Sequence, residues 1–590
     1  MPEVSAAPSP SHTPAVGEVH AVPAPPRGGV RRLPRALAGL GVAQAGPLGA
    51  ALLGFLAFLA LYGPDALNPT RLGWLIRDDF SQHVLGWLFF RNTPPGLPLG
   101  ALPGYVHPLG TTLGYMDSTP WVALGLRPFS ALLPVDFQYI GPWLCLCLML
   151  QGAVAAWVAR RLGASVAQQW LIGALLVLAP AQLARMGMAH EALSAHWMLI
   201  LGVGLSLVPQ RDARDARRAL GTVLALCVVA AGVHPVMAAM VLPLGLAVCV
   251  RTVLERKVGW RWPVLAGAAC LAVVPGLFFA FGYFGGGTPL TGTSFGDYSA
   301  DLATFFNPVG ARGMRWSRFL PGLPLGWGQY EGFAYLGAGG LFGLLVSAVL
   351  VPWRAREVAR LWRRLLPVGL VAVGLAFFAL SWRITWLSEP VADLSAFYRP
   401  ALKWVEAFRS SGRFVWPLYY LLLLGAGLAV LRLSGPRAAP ALLGLVVAVQ
   451  ALDLNLGEGQ AAKHDVRWNS PPSPAMVEAA KGRKHLVLYP PQSHDSSGRG
   501  CRAGPHDFHR WAYRAYRLGL TFNSGYVARL DDARAQKYCL GLDDEIRAGR
   551  LDPDTVYLSI PERLHEFQRI PGTRCSLEEG LWMCVYDGQR

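Results

Sequence analysis

FQYIGPWLCLCLMLQGAVAAWV, residues 137–158, decides the fold class, because it carries no charged side chain over 22 residues. Wound as an α-helix, it matches the roughly 30 Å hydrocarbon core of a bilayer. Further apolar stretches repeat the pattern at 47–63, 167–184, 192–208, 219–233, 236–254, 263–281, 335–352, 365–382, 413–431 and 438–455. Together they predict an α-helical polytopic membrane protein of about eleven spans. Composition agrees. Of 590 residues, 53% are hydrophobic and 15% charged, against roughly 25% charged in an ordinary soluble domain. A water-soluble fold would have too little polar surface to cover that apolar mass. The formal net charge is +17, which in a soluble protein would suggest a nucleic-acid partner. Here the excess lies in short loops, as membrane topology requires, and no nucleic acid is expected.

The loop charges orient the spans. One alternating set of connections holds Arg160 and Arg161; Arg211, Arg214, Arg217 and Arg218; Arg251, Arg256, Lys257 and Arg261; Arg354, Arg356, Arg360, Arg363 and Arg364; Arg432 and Arg437. Arg27, Arg31, Arg32 and Arg35, before the first span, belong with them. Lys and Arg mark the cytoplasmic face, so the N-terminus is expected inside and, after an odd number of spans, the C-terminus outside. Residues 1–46 are rich in Pro, Ala and Gly, with no secretory signal peptide, and read as a disordered cytoplasmic tail. The apolar stretch 118–134 (STPWVALGLRPFSALLP) is short and interrupted by Arg127 and Pro128. It reads as an interfacial helix on the outer surface, since a span there would invert every later loop.

The expected organisation is therefore a transmembrane domain, 47–455, with long outer loops at 64–136, 282–334 and 383–412. An extracytoplasmic α/β domain follows at 456–590. In that domain HLVLY (485–489) and TVYLSI (555–560) read as strands, with helices near 507–518, 531–549 and 561–568. Five cysteines, Cys145, Cys147, Cys227, Cys249 and Cys270, fall in or at spans, where a cysteine is usually a small apolar residue. The other four lie in the C-terminal domain, and an even number there suggests disulfides. CSLEEGLWMC (575–584) reads as a hairpin turning at Glu-Gly, which favours Cys575–Cys584 and leaves Cys501–Cys539, although four cysteines allow three pairings. The alternative, a zinc site, lacks any CxxC or HxxxH spacing.

Chemically capable residues gather at the outer boundary rather than within spans, whereas transporters usually place ionisable groups near the midplane. RDDFSQH (77–83) is the densest cluster, with Arg77, Asp78, Asp79 and His83. A carboxylate there can act as general base on an acceptor hydroxyl, or Asp78 and Asp79 can hold a divalent cation such as Mg or Mn that neutralises a leaving phosphate. The bland alternative is a helix N-cap or a solvated pair. The same loop adds His107 and Asp117, the latter also a candidate cap for a helix starting at Ser118 or Thr119. His190 and Glu191 occupy the next outer turn, either facing the first loop or merely solvating the turn. His234-Pro235 reads as structural. The third outer loop runs against the positive-inside bias, with Arg383, Arg399, Lys403, Arg409 and Arg413. These suit lipid headgroups or, through the bidentate geometry of arginine, a phosphate or pyrophosphate. In FRSSGRF (408–414), Arg409 and Arg413 share a face if the segment is helical. The second loop holds Asp297, Tyr298, Asp301, Asn307 and Glu331, with Gly285 to Gly287 expected to make it mobile. Glu331 is a site candidate or a helix N-terminal charge.

Taken together, RDDFSQHVLGWLFFRN, PLGTTLGYMDSTPW, YEGFAYLGAG and FRSSGRFVWPLYYLLLL give a chain that resembles the GT-C superfamily of membrane glycosyltransferases. The four segments are similar to those of an uncharacterised bacterial family of that superfamily, over roughly residues 70–555. The resemblance implies transfer of a sugar from a polyprenyl-phosphate donor, in the bacterial cytoplasmic membrane, to an extracytoplasmic acceptor, either an envelope glycan or a protein. The superfamily's first-loop acid falls on Asp78 or Asp79, and its second-loop acid or histidine on His190 and Glu191. No WWD-type motif is present, so transfer to Asn is not expected. The rival reading is a non-catalytic envelope-assembly protein or a lipid-linked glycan flippase.

Overall fold

The computed structural model describes residues 32–76, 79–284, 295–456, 466–495 and 498–588, with the backbone alone for 32–43 and for Lys403. Arg77, Asp78 and Gly285 to Gly287 lie outside the described residues. Of the described residues, 32–45 belong to a different unit from the compact one that begins at Gly46. The first helix, α1 (Arg32–Tyr62), already runs through residues expected in the tail. RALAGLGVAQAG is rich in Ala and Leu, which favour helix.

Each expected apolar stretch coincides with helix. After α2 (Phe80–Arg91) in the first loop come α3 (Ile140–Arg161), α4 (Val166–Val177), α5 (Pro180–Gly187), α6 (Trp197–Leu207), α7 (Ala213–Ala231) and α8 (Pro235–Glu255). Then follow α9 (Arg261–Phe281), α10 (Gly337–Trp353), α11 (Trp362–Leu380), α12 (Trp416–Leu433) and α13 (Ala438–Asp453). Among the described residues six segments are long and apolar enough to cross a membrane: Gln44–Tyr62, α3, α8, α9, α11 and Ser411–Leu433. The pair α4–α5 would make a seventh, and α6, α10 and α13 are shorter apolar helices. Close helix approach uses small residues. A Cβ on Gly54 would lie 2.4 Å from the Leu148 carbonyl oxygen, and one on Gly152 2.3 Å from that of Ala50.

The stretch 167–184 departs from expectation. It is two helices bent by 45°. Pro180 has no N–H to continue the ladder and drives Ala179 into extended backbone (φ −68°, ψ 115°). The carbonyls freed at the bend find side-chain donors. Gln151 Nε2 donates to the Leu176 oxygen at 2.6 Å and Gln450 Nε2 to that of Leu178 at 3.1 Å. Gln450 Oε1 also accepts from the Gly340 N–H at 3.0 Å, tying α13 to α10. Irregular backbone in an apolar bundle is stable when its polar groups are served in this way. At the opposite end of α6, Arg251 is fully buried and donates to the carbonyls of Leu205, Ser206 and Val208 at 2.6–2.8 Å. It therefore caps a helix rather than lying in an exposed loop. The other basic turns meet at that same end: Arg161 pairs with Asp215 at 3.2 Å, Arg364 with Glu255 at 3.0 Å, and Arg432 reaches the Leu162 oxygen at 2.8 Å.

The other end carries the long loops. Helix α2 is buried along its whole length, which explains a sequence apolar on every side. The stretch 118–134 contains a short helix, Pro120–Leu126, and a 3-10 turn, Arg127–Phe129, both far too short to cross. The C-terminal region forms strands β1 (His485–Tyr489), β2 (Gln492–Asp495), β3 (Gly500–Arg502), β4 (Thr521–Phe522), β5 (Gly525–Val527), β6 (Thr555–Ser559), β7 (Thr573–Glu578) and β8 (Leu581–Tyr586). The main sheet runs β7-β8-β6-β1-β4, parallel where β6, β1 and β4 meet. A smaller sheet runs β3-β2-β5. Helices α14 (Phe508–Leu518) and α15 (Asp532–Arg547) cover it. Glu579 and Gly580, both at positive φ, turn the β7–β8 hairpin and bring Cys575 opposite Cys584. Cys501 and Cys539 form the second pair. One apolar core runs from Trp87 and Phe90 of α2 to Trp511 of α14, Phe522 and Leu488. The first loop and the C-terminal domain thus pack as one body.

Gln450→Leu leaves the carbonyls of Leu178 and Leu336 and the Gly340 N–H without their partner. It should destabilise the purified protein by about 1–3 kcal/mol, seen as a lowered thermal midpoint in detergent. An unchanged midpoint would contradict the role given to Gln450.

Candidate functional site

Glu331 is the centre of the polar end. It lies in the 3-10 turn Gln329–Gly332, with a side chain 6% exposed between two guanidinium groups. Arg185, placed on α5 by the Pro180 bend, donates from Nη1 to Glu331 Oε2 at 2.7 Å and from Nη2 to the Glu331 carbonyl at 2.8 Å. Arg413 donates from Nε to Oε2 at 2.8 Å and from Nη2 to Oε1 at 3.1 Å. Burial alone would raise the Glu331 carboxyl; the two arginines outweigh it and hold the group well below the usual carboxylate range. Gly412 makes the approach of the third loop possible: a Cβ there would sit 2.7 Å from the Gly332 nitrogen. The guanidinium of Arg185 also lies 5.0 Å above the Trp416 ring.

This clamp positions a second pair. Arg185 Nη1 is 3.2 Å from His190 Nδ1, and His190 Nε2 is 2.8 Å from Asp79 Oδ2. Arginine can only donate, so His190 Nδ1 accepts and Nε2 carries the hydrogen toward Asp79. Asp79 stands at the N-cap of α2 but makes no side-chain cap bond. Its side chain is 30% exposed, and Oδ1 has no partner among the described residues. Arg413 also acts electrostatically on both Asp79 and Asp117.

A third group lies alongside. His83 Nδ1 bonds Glu191 Oε2, and both side chains are essentially buried. Burial lowers the affinity of His83 for a proton, but Glu191 more than restores it; burial pushes Glu191 up to about 7 against the opposing pull of His83. The pair therefore retains a proton near neutrality. Among the described residues His83 Nε2 has no hydrogen-bond partner, and it lies 4.0 Å from Asp117 Oδ2. Asp117 Oδ1 is 3.3 Å from His234 Nε2. Burial would raise the Asp117 carboxyl; His234, His83 and Arg413 bring it down to about 2.

The structure thus brings together Asp79, His83, His190, Glu191, Glu331 and Arg413 from segments far apart in sequence. Asp117 does not cap the helix that follows it: Thr119 holds that position before Pro120–Leu126, and Asp117 instead ends the 3-10 turn Leu113–Met116. His234 caps α8 and also faces Asp117. Arg185 is the residue that sequence reading missed. Its signal was a Pro followed by Gln182 and Arg185 at the end of an apolar stretch. Arg409 and Arg413 do not share a helical face, because Ser410 is non-helical (φ −84°, ψ 62°). Arg413 turns to Glu331, whereas Arg409 lies 4.8 Å over the Tyr298 ring. Arg399 is exposed, and no contact joins it to the cluster among the described residues. The Lys403 side chain, Arg77 and Asp78 are outside those residues. His107 stacks on His485 in the C-terminal domain, away from the cluster. Asp301 accepts from Thr385 Oγ1 at 2.7 Å and from the Leu387 and Ser388 N–H groups, pinning the second loop to the third. Among the described residues no group of three or more His, Cys, Asp or Glu side chains is arranged to hold a metal ion.

Comparison with known proteins places the sequence. The model of the domain of unknown function DUF6311 matches residues 51–455, and that of the DUF6311 C-terminal domain matches 475–586. The chain belongs to the DUF6311 family. No curated protein matches it. Among solved structures, ArnT from Cupriavidus metallidurans in the apo state is similar at 12% identity and a TM-score of 0.40, covering 94% of this chain and 98% of that one. The same protein bound to undecaprenyl phosphate is similar at 14% identity and a TM-score of 0.40, covering 91% and 96%. Likenesses this distant carry no argument about chemistry.

Glu331→Gln leaves Arg185 and Arg413 facing each other without a countercharge and should cost roughly 3–5 kcal/mol of stability, read as a fall in thermal midpoint in detergent. A midpoint equal to that of the wild type would refute the clamp. The His83–Glu191 pair gives a second test. Both groups bind protons more tightly folded than unfolded, so they contribute stability at low pH that is lost as pH rises through about 7. From about pH 5 to 8, the wild-type midpoint should fall more steeply than that of Glu191→Gln. Parallel pH profiles would show that the pair holds no extra proton.

Proposed function

We propose that this DUF6311 protein transfers a sugar from a polyprenyl-phosphate donor to an acceptor hydroxyl outside the bacterial cytoplasmic membrane. The observation that carries the reading is Asp79, part-exposed and oriented by His190, beside the buried cations of the Glu331 clamp. A carboxylate with one oxygen held and the other open suits a general base. A cation beside it suits a leaving phosphate. The GT-C resemblance of the sequence supports the same reading.

In this mechanism the acceptor hydroxyl approaches Asp79 Oδ1. Its oxygen attacks the anomeric carbon of the donor sugar from the face opposite the phosphate. The new C–O bond forms as the bond from carbon to phosphate oxygen breaks, with inversion. The electron pair leaves with the polyprenyl phosphate, which gains a second negative charge; Arg413 and Arg409 offset it. The hydroxyl proton passes to Asp79, whose other oxygen stays in the hydrogen bond from His190. Asp117, held anionic by His234, keeps the cationic side of the site in balance. Asp78 is the residue left to complete a set of ligands for a Mg or Mn ion with Asp79, and no step here runs through a metal.

All eleven apolar segments cross the membrane in this reading, with the N-terminus cytoplasmic and the C-terminal domain outside. The gathering of the Arg161, Arg251, Arg364 and Arg432 turns at the end opposite Asp79 supports that orientation. So do the paired cysteines of the C-terminal domain. A flippase would need a polar path through the bundle. The buried charge clusters instead favour chemistry at one end.

Asp79→Asn keeps an acceptor for the His190 N–H but removes the base. It should lower transfer by roughly 10²–10⁴-fold. The test is the envelope saccharide profile of a deletion strain complemented with either form. Restoration by wild type but not by Asp79→Asn is expected; equal restoration, or an unaltered profile in the deletion strain, would overturn the reading.

A further inference from the structure

Among the described residues, strand β5 of the C-terminal domain packs on α2, the helix that Asp79 begins. Strand β5 and the residues after it run Gly525, Tyr526, Val527, Ala528 and Arg529. Val527 is fully buried in the common core, whereas Tyr526, Ala528 and Arg529 are part-exposed. In extended backbone such alternation puts Tyr526 on the face opposite Val527, where it packs against the edge of the common core with part of its ring exposed. That face lies against the loops. The Ala528 N–H donates to the Tyr115 carbonyl at 2.7 Å, the same oxygen that Gln82 Nε2 of α2 reaches at 2.7 Å. Arg529 Nη2 donates to the Ala407 carbonyl of the third loop at 2.9 Å. Gly525 packs so tightly on the Tyr105 ring that a Cβ would sit 2.6 Å from it. The segment therefore bridges the acidic first loop and the basic third loop.

We propose that Tyr526 and Arg529 form the acceptor-binding wall of the site and that the acceptor they take is a saccharide. The inference rests on the transferase reading for which site the wall serves, and on β5 itself for the ligand class. Tyr526 offers a flat ring edged by the His494 ring, 5.4 Å away, and a hydroxyl. Such a group packs on the C–H face of a pyranose while hydrogen-bonding its hydroxyls. The Ala528 bond to Tyr115 and the Arg529 bond to Ala407 set Tyr526 beside the reacting end; burial raises its phenol, and Asp79, Arg409 and Asp117 also act on it. Arg529 adds donors for ring or hydroxyl oxygens. The loops supply base and phosphate contacts, and the C-terminal domain supplies the surface that distinguishes one acceptor from another.

The test uses the full-length protein in detergent with undecaprenyl phosphate present, presented to an array of immobilised bacterial envelope oligosaccharides. Native mass spectrometry reads undecaprenyl phosphate binding in parallel. Wild type should retain a subset of the saccharides. Tyr526→Ala and Arg529→Gln should each weaken that retention about tenfold or more, Tyr526→Phe less, with lipid binding unchanged in all three. Because Tyr526→Ala removes packing, thermal midpoints accompany it, and Arg529→Gln and Tyr526→Phe carry the result if it unfolds. No saccharide retained by wild type, or equal retention by the folded variants, overturns the proposal. Loss of undecaprenyl phosphate binding by wild type itself would instead strike the transferase reading.

Discussion

A carboxylate buried between two guanidinium groups is the constraint on which the polar end depends. Glu331 alone would be costly to desolvate, and so would Arg185 or Arg413. Together they form a set with charge-assisted hydrogen bonds to each arginine. Three segments far apart in sequence must meet to satisfy it. Arg185 arrives because Pro180 bends a stretch that would otherwise run straight. Arg413 arrives because Gly412 lets the third loop lie on Gly332. Once Arg185 is fixed, its second contact determines the His190 tautomer, and His190 in turn orients Asp79. The proposed chemistry thus hangs on an ion cluster whose first task is structural.

The two ends of the bundle divide their work. At one end, arginines cap helices and pair with Asp215 and Glu255, closing short turns. At the other, long loops and the C-terminal domain surround a charged cluster. Helix α2 links those loops to the C-terminal domain. It lies buried under α14 and β5, so the backbone that carries Asp79 at its N-terminus is held by packing, while the Asp79 side chain stays part-exposed. A site on so rigid a support loses little in ordering its groups when substrate binds.

Much of this was legible in the sequence, and the reasons are local. Uninterrupted apolar runs gave the helices, short continuous apolar runs gave β1 and β6, and Glu-Gly between paired cysteines gave the β7–β8 hairpin. The candidate acids and histidines were also visible, since charge is rare in this chain and gathers at the loops. What sequence concealed depends on distance. Nothing local says that Arg185 faces Glu331, or that Asp117 turns from the helix after it to His234. The four-residue spacing of Arg409 and Arg413 misled because Ser410 breaks the helix between them. The shared core of the first loop and the C-terminal domain was equally hidden: only their facing aromatic residues show that they fold against one another.

The central claim is that Asp79, His190 and Arg413 converge on one catalytic site at the long-loop end. An experimental structure with a bound polyprenyl-phosphate sugar tests it most directly. The account predicts the phosphate within hydrogen-bonding distance of Arg413 or Arg409, with the anomeric carbon turned toward Asp79 Oδ1. A phosphate bound at the opposite end, near Arg364 or Arg432, or Asp79 and Arg413 found apart, would contradict it.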